Sequence, residues 1–172
     1  MKRILWLIEV LCLAVAVCVM GSMAGASEPT LCDYRAYGID AGKFFVYLTR
    51  DTPYTLWNRW PETGPSRTAV SPHGPLQAIY VNAAAYAALS KKEKMAFGSL
   101  IVMENRGRDG KVDNLAVRIK LKGYYPEEGD WYWFSFRSDG TAAEEGRVAS
   151  CIGCHGKMRD NDHLLSLTAG EK

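Results

Sequence analysis

The stretch Leu115 to Lys122 constrains the fold more than any other part of this 172-residue chain. Leu115, Val117, Ile119 and Leu121 alternate with Ala116, Arg118, Lys120 and Lys122, a period of two that a helix cannot gather on one face. It predicts a β-strand with one side against a core and the other toward water. Trp131 to Arg137 reads as a second, aromatic strand, entered through the turn formers of Pro126-Glu-Glu-Gly-Asp130. Ser99 to Glu104 is apolar on both faces, as a strand covered on both sides should be, and Leu76 to Asn82 is a short strand. Strands this close in sequence pair antiparallel.

Helices flank them. Tyr34, Tyr37, Ala41, Phe44 and Leu48 follow a spacing of 3, 4, 3, 4 and share one helical face, although Gly38 and Gly42 weaken that helix. The alanine-rich run Ala83 to Leu89 is helical by propensity, and Ser90 with Glu93 makes a capping box for a further turn. Residues 51 to 75 hold five of the seven prolines together with Trp57 and Trp60, which predicts an ordered but irregular segment. The expected architecture is α+β, an antiparallel β-sheet with flanking helices. A net charge of +2 and ordinary apolar and charged fractions exclude a disordered tail, a coiled coil and a polybasic nucleic-acid binder.

The first 26 residues read as a separate segment. Lys2 and Arg3 precede an apolar core, Val10 to Met20, and small residues follow at Met23-Ala24-Gly25-Ala26, the pattern of a secretory signal peptide cleaved after Ala26. An uncleaved anchor would need Glu9 inside the apolar run, and a lipid anchor at Cys18 would follow Val17 where a small residue is expected. Residues 27–172 then form one exported domain outside the membrane. Of five cysteines, Cys32, Cys151 and Cys154 remain in the mature chain, an odd number. Cys32 is the leftover thiol, read as buried or free rather than bridging two chains.

Cys151-Ile152-Gly153-Cys154-His155 has the C-x-x-C-H spacing of covalent haem c attachment. Two thiols separated by two residues can join the two haem vinyls while the next histidine binds the iron. A structural disulfide and a thioredoxin-like redox pair are the competing readings; the latter needs a surrounding βαβ unit, and 18 residues follow Cys154. With no second C-x-x-C-H, one haem is expected. Of the other two histidines, His73 falls in the turn Ser71-Pro-His-Gly74, and His163 is too near His155 in sequence to reach the opposite haem face. There is no G-x-S-x-G, phosphate loop or H-E-x-x-H.

Ser71-Pro-His-Gly74, Ala78-Ile-Tyr-Val-Asn82, Gly98-Ser-Leu-Ile-Val-Met-Glu-Asn105, Gly123-Tyr-Tyr-Pro126, Gly129-Asp-Trp131, Asp139-Gly140 and Cys151 to His155 followed by Asp162 resemble the cytochrome P-460 family, which includes the cytochromes c′-beta. The resemblance covers about residues 70 to 163. It implies an antiparallel β-rich fold with helices, a homodimer, one c-type haem held by His155, and a periplasmic location. Members divide into hydroxylamine-oxidising enzymes and binders of small gases such as nitric oxide or carbon monoxide. The enzymes carry a lysine cross-linked to the porphyrin one residue before the strand glutamate; here that position is Met103. Gln77 stands where the enzymes can carry an arginine. Both departures argue against hydroxylamine oxidation and so against an enzyme.

Three functions remain, in descending order: electron transfer to a redox partner protein with His155 and Met103 as axial ligands, five-coordinate binding of a small gas, and hydroxylamine oxidation. Ile101 and Met103 share one face of their strand, and the resemblance puts the Met103 position against the haem. Met103 is then either a ligand or a filler touching the ring edge. Met95 reads as core, and Met158 lies three residues beyond His155 on its own side.

Overall fold

The structure, a computed structural model, describes residues 39–165 except 62, 65, 66 and 69–72. The signal peptide, Cys32, Tyr34 and Tyr37 lie outside the described residues. Helix α1, Ala41–Val46, opens with the Asp40 carboxylate accepting from the Lys43 N–H at 2.9 Å and loosens into a π-helical turn at Tyr47–Asp51. Its expected inner residues Phe44 and Leu48 are buried.

The irregular stretch contributes two short strands, β1 (Asn58–Arg59) and β2 (Arg67–Thr68). Both lie along β3, Leu76–Val81. Helix α2, Ala83–Lys91, follows. Asn82 staples its start: its side-chain oxygen accepts from the Ala85 and Leu100 N–H groups, and its amide donates to the Gly98 carbonyl. Ser90 lies within this helix and starts no new one. The chain ends the helix at Lys92, in the left-handed region at φ 56°, so the expected capping box is absent.

Strands β4 (Leu100–Arg106), β5 (Val112–Lys120), β6 (Trp131–Arg137) and β7 (Ala142–Gly146) complete the sheet as successive hairpins. Among the described residues there are seven strands, all pairing antiparallel, in the order β1-β3-β4-β5-β6-β7 with β2 also on β3. This is the expected α+β sheet. The sequence carries no sign of strand β7, because Ala142-Ala-Glu-Glu-Gly146 alternates nothing apolar. It forms as the edge partner of the aromatic strand, with its side chains mostly in water.

One face carries the larger core. Leu100 and Val102, Leu115, Val117 and Ile119, and Tyr132, Phe134 and Phe136 meet Phe44 and Leu48 of the α1 segment. Phe134 is the hinge of an aromatic stack, with ring centroids 4.8 Å from Phe44, 4.8 Å from Tyr132 and 5.2 Å from Phe136. The opposite face presents Ile79 and Val81, Ile101 and Met103, Arg118 and Lys120, and Trp131 and Trp133. Helix α3, Ala149–His155, and the 3-10 turns Gly156–Asn161 contribute Cys151 and Ile152 to the apolar cluster on that face and place His155 against Trp133.

Candidate functional site

The water-facing side expected for β5 is covered. Arg118 and Lys120 are each only 7% exposed, because α3 and the segment to Leu164 fold over them. A buried cation is costly unless something compensates it. Lys120 pairs with the Asp162 carboxylate, whose other oxygen accepts from the Met95 N–H at 2.7 Å, while the Trp131 indole donates to the Asp162 carbonyl at 3.1 Å. Asp162 is therefore tied to two strand side chains and to the segment after α2. That attachment holds Asp162 and His163 at φ 53° and 59°, a backbone conformation that is strained for residues with a Cβ. Opposite them only glycine fits at position 129, where an added Cβ would lie 2.5 Å from the His163 ring.

The strained bend aims one carbonyl. The His163 oxygen accepts from Arg118 Nη1 at 2.8 Å and lies 2.9 Å from His155 Nδ1, with Nη1 and Nδ1 3.2 Å apart. A guanidinium nitrogen cannot accept, so two tautomers are consistent with these distances. In one, Nδ1–H donates to the carbonyl and the Nε2 lone pair is free. In the other, Nδ1 accepts from Arg118 and Nε2 carries the proton. Only the first leaves Nε2 available to a metal.

Burial, and then the Arg118 charge, push the His155 pKa down to about 4, so the ring is neutral near pH 7, as a ligand must be. Trp133 packs on the ring at 4.8 Å between centroids. Arg118 itself sits 4.7 Å over the Trp131 ring and 5.2 Å over that of Trp133. Burial lowers its pKa to about 10, which leaves it charged at neutral pH.

Cys151 and Cys154 are free thiols one helical turn apart, the first half-buried and the second exposed. Burial pushes the Cys151 thiol up. These residues fit a haem on three observations. The two thiols share one side of α3, a Cβ placed on the intervening Gly153 would meet nothing within 4 Å, and the buried Trp133 indole N–H has no hydrogen-bond partner.

Met103 is half-buried in the middle of β4, with Ile79 and Ala116 as its register partners. It packs on the same cluster as Cys151 and Ile152. Arg118, the residue that touches His155, pairs with Ile101 rather than with Met103. Gln77 is buried on the same strand face as Ile79. Met95 is core, as expected, and the His163 carbonyl lies beside His155. Separately, a cleft of about 320 Å³ opens beyond the Asp162 bend, lined in part by Lys94, Phe97, Arg159 and His163. Two of its cations are already paired, Lys120 with Asp162 and Arg159 with Glu128.

Sequence reasoning missed Arg118, Lys120 and Trp133. Their side chains read as exposed or as generic strand aromatics, since nothing in the pattern tells that a distant helix returns to cover them. Asp162 alone left a signal, in its spacing after the C-x-x-C-H.

No curated protein matches the chain significantly. A family model described as Cytochrome P460 matches residues 55–166, a span running from the irregular segment through every strand from β1 to β7 and past the motif to the bend that grips His155. By that match and by its fold, the chain belongs to the cytochrome P460 family of haem proteins.

Proposed function

We propose that the protein is an exported, periplasmic electron-transfer cytochrome with one haem c, joined by thioethers to Cys151 and Cys154 and ligated by His155 and Met103. The observation that supports this reading most is the His155 imidazole, neutral and with Nδ1 directed at the His163 carbonyl, one residue from a free thiol and one turn from another. When bound, the haem supplies an iron that exchanges a single electron between its ferric and ferrous states. The rest is the chain's own work. His155 offers Nε2, the Asp162 attachment fixes the ring, and the Trp131, Trp133 and Ile101 cluster excludes water. A soft thioether from Met103 would favour the reduced state and raise the potential. A redox partner protein and a homodimeric assembly belong to the same proposal.

The test is the resting visible spectrum of the purified protein. A low-spin ferric spectrum with a weak far-red sulfur-to-iron band, lost in Met103→Ala, is expected. A high-spin spectrum that the substitution leaves unchanged rejects Met103 as a ligand. One observation favours that second reading, a five-coordinate binder of nitric oxide or carbon monoxide: Met103 is held mid-strand between Ile79 and Ala116, where the backbone has little freedom to carry its sulfur inward.

A further inference from the structure

Arg118 is a buried cation with no carboxylate within ion-pair distance among the described residues. The nearby Asp162 is engaged by Lys120. Such a group persists only where its position does something, or where polarisable neighbours compensate its charge. Its neighbours here are two indole faces, the His163 carbonyl and the Nδ1 edge of His155. We propose that Arg118 is a positioning residue that sets how strongly His155 donates to a metal at Nε2. The inference rests on the reading of His155 as the haem ligand.

Two effects combine. Arg118 Nη1 and His155 Nδ1 compete for one carbonyl oxygen, at 2.8 and 2.9 Å, so the Nδ1–H bond is weaker than it would be to an unshared acceptor. A strong bond there would give the imidazole imidazolate character and make it a stronger donor. The fixed positive charge 3.2 Å from Nδ1 adds to this, since it disfavours negative charge building up on the ring. Both effects keep His155 a weak, neutral donor, and a positive charge near the iron favours its less positive, ferrous state. Arg118 therefore holds the potential up and the iron–histidine bond soft.

The test uses the full-length haem-loaded protein and the variants Arg118→Leu and Arg118→Lys. Retention of haem through acid extraction is checked first in each, and loss of covalent haem from the native protein would overturn the reading on which the proposal rests. Arg118→Leu removes a buried unpaired cation, a change that folds often tolerate. At a fixed mediator poise its ferrous-to-ferric ratio should fall about tenfold, 59 mV for one electron, and its ferrous iron–histidine stretching mode, read for both Arg118 variants in the five-coordinate Met103→Ala background, should rise in resonance Raman spectra. A haem-loaded leucine variant with a native ratio and a native mode overturns the proposal.

Arg118→Lys decides the matter should the leucine variant not accumulate. It keeps the charge, so the ratio should stay within about twofold of native. Its shorter reach withdraws the donor from the His163 carbonyl, so the stretching mode should still rise. An unmoved mode, or a tenfold fall in the ratio, rejects the proposal. A residue that merely packs would alter neither quantity in this pattern.

Discussion

The two faces of the sheet are built on different physics. The face under α1 is closed by aromatic and aliphatic packing, with Phe44, Phe134, Phe136, Leu100 and Ile119 at or near zero exposure. The face under α3 holds two buried cations, a carboxylate that joins strand to terminal segment, and two adjacent residues in left-handed conformations. Apolar packing tolerates volume-conserving change, because dispersion and water exclusion are not directional. The α3 face depends on a chain of specific donors and acceptors, so it should respond to single-atom changes with more than stability.

The widest separation of the two faces comes from the thiols. Replacing Cys151 and Cys154 together by serine should abolish covalent haem, read as loss of haem staining on a denaturing gel. The stack under α1 should survive, since neither residue contributes to it. Haem that remains bound through acid extraction in this variant would refute the attachment.

Asp162→Ala should be next in size. It leaves Lys120 buried without a partner and the Met95 N–H without its acceptor, a loss of about 3–5 kcal/mol in chemical denaturation. The His163 carbonyl would lose its fixed aim as well, so the iron spectrum should change with the stability. Phe134→Ala should cost a similar or slightly smaller amount, about 3–4 kcal/mol, by opening a cavity among Phe44, Tyr132 and Phe136. Here the spectrum should stay native. A shifted spectrum in Phe134→Ala would show that the sheet transmits strain between its faces.

The same contrast explains what could be read from the residues alone. Period-two alternation predicts β5, and an aromatic run predicts β6, because the pleat alternates the faces of a strand within consecutive residues. The C-x-x-C-H was legible for the same reason, as its chemistry is contained in five consecutive residues. Alternation puts Arg118 toward water, because it identifies an apolar face but says nothing of what later covers the polar one. The cover is supplied by residues 37 and 45 positions further on, His155 and His163, whose approach depends on a left-handed bend at Asp162 and His163 that these residue types tolerate but do not dictate. The Ser90 capping box failed for the opposite reason: α2 already ran through Ser90, and the left-handed Lys92 stopped it before a new helix could begin.

The smallest expected effect tests whether one polar network on the α1 face obeys that face's rule. Glu104 is buried there, its Oε2 accepting from Arg106 Nε at 2.9 Å and Nη2 at 2.6 Å, and its Oε1 accepting from the Tyr54 hydroxyl at 3.0 Å. Glutamine in its place keeps the shape and can still accept from Tyr54, but its amide N–H groups would meet the guanidinium donors. Arg106 is 30% exposed and can turn to water, which limits the cost of Glu104→Gln to about 1.5–3 kcal/mol. The Tyr54 pKa is raised first by burial and then by the Glu104 charge, so removing that charge should bring it down. A folded-state value above the unfolded one of about 10 means that the unfolded chain loses its proton first, and stability falls as pH rises beyond 10. In the glutamine variant the Tyr54 phenol should therefore ionise at lower pH in an ultraviolet titration, and its share of the alkaline loss of stability should shrink. The iron spectrum should not move, because Glu104 and Met103 are neighbours in sequence that point to opposite sides of β4. A spectral change in Glu104→Gln would mean that the one-residue step between them carries strain through the backbone, and the independence of the two faces would fail at β4.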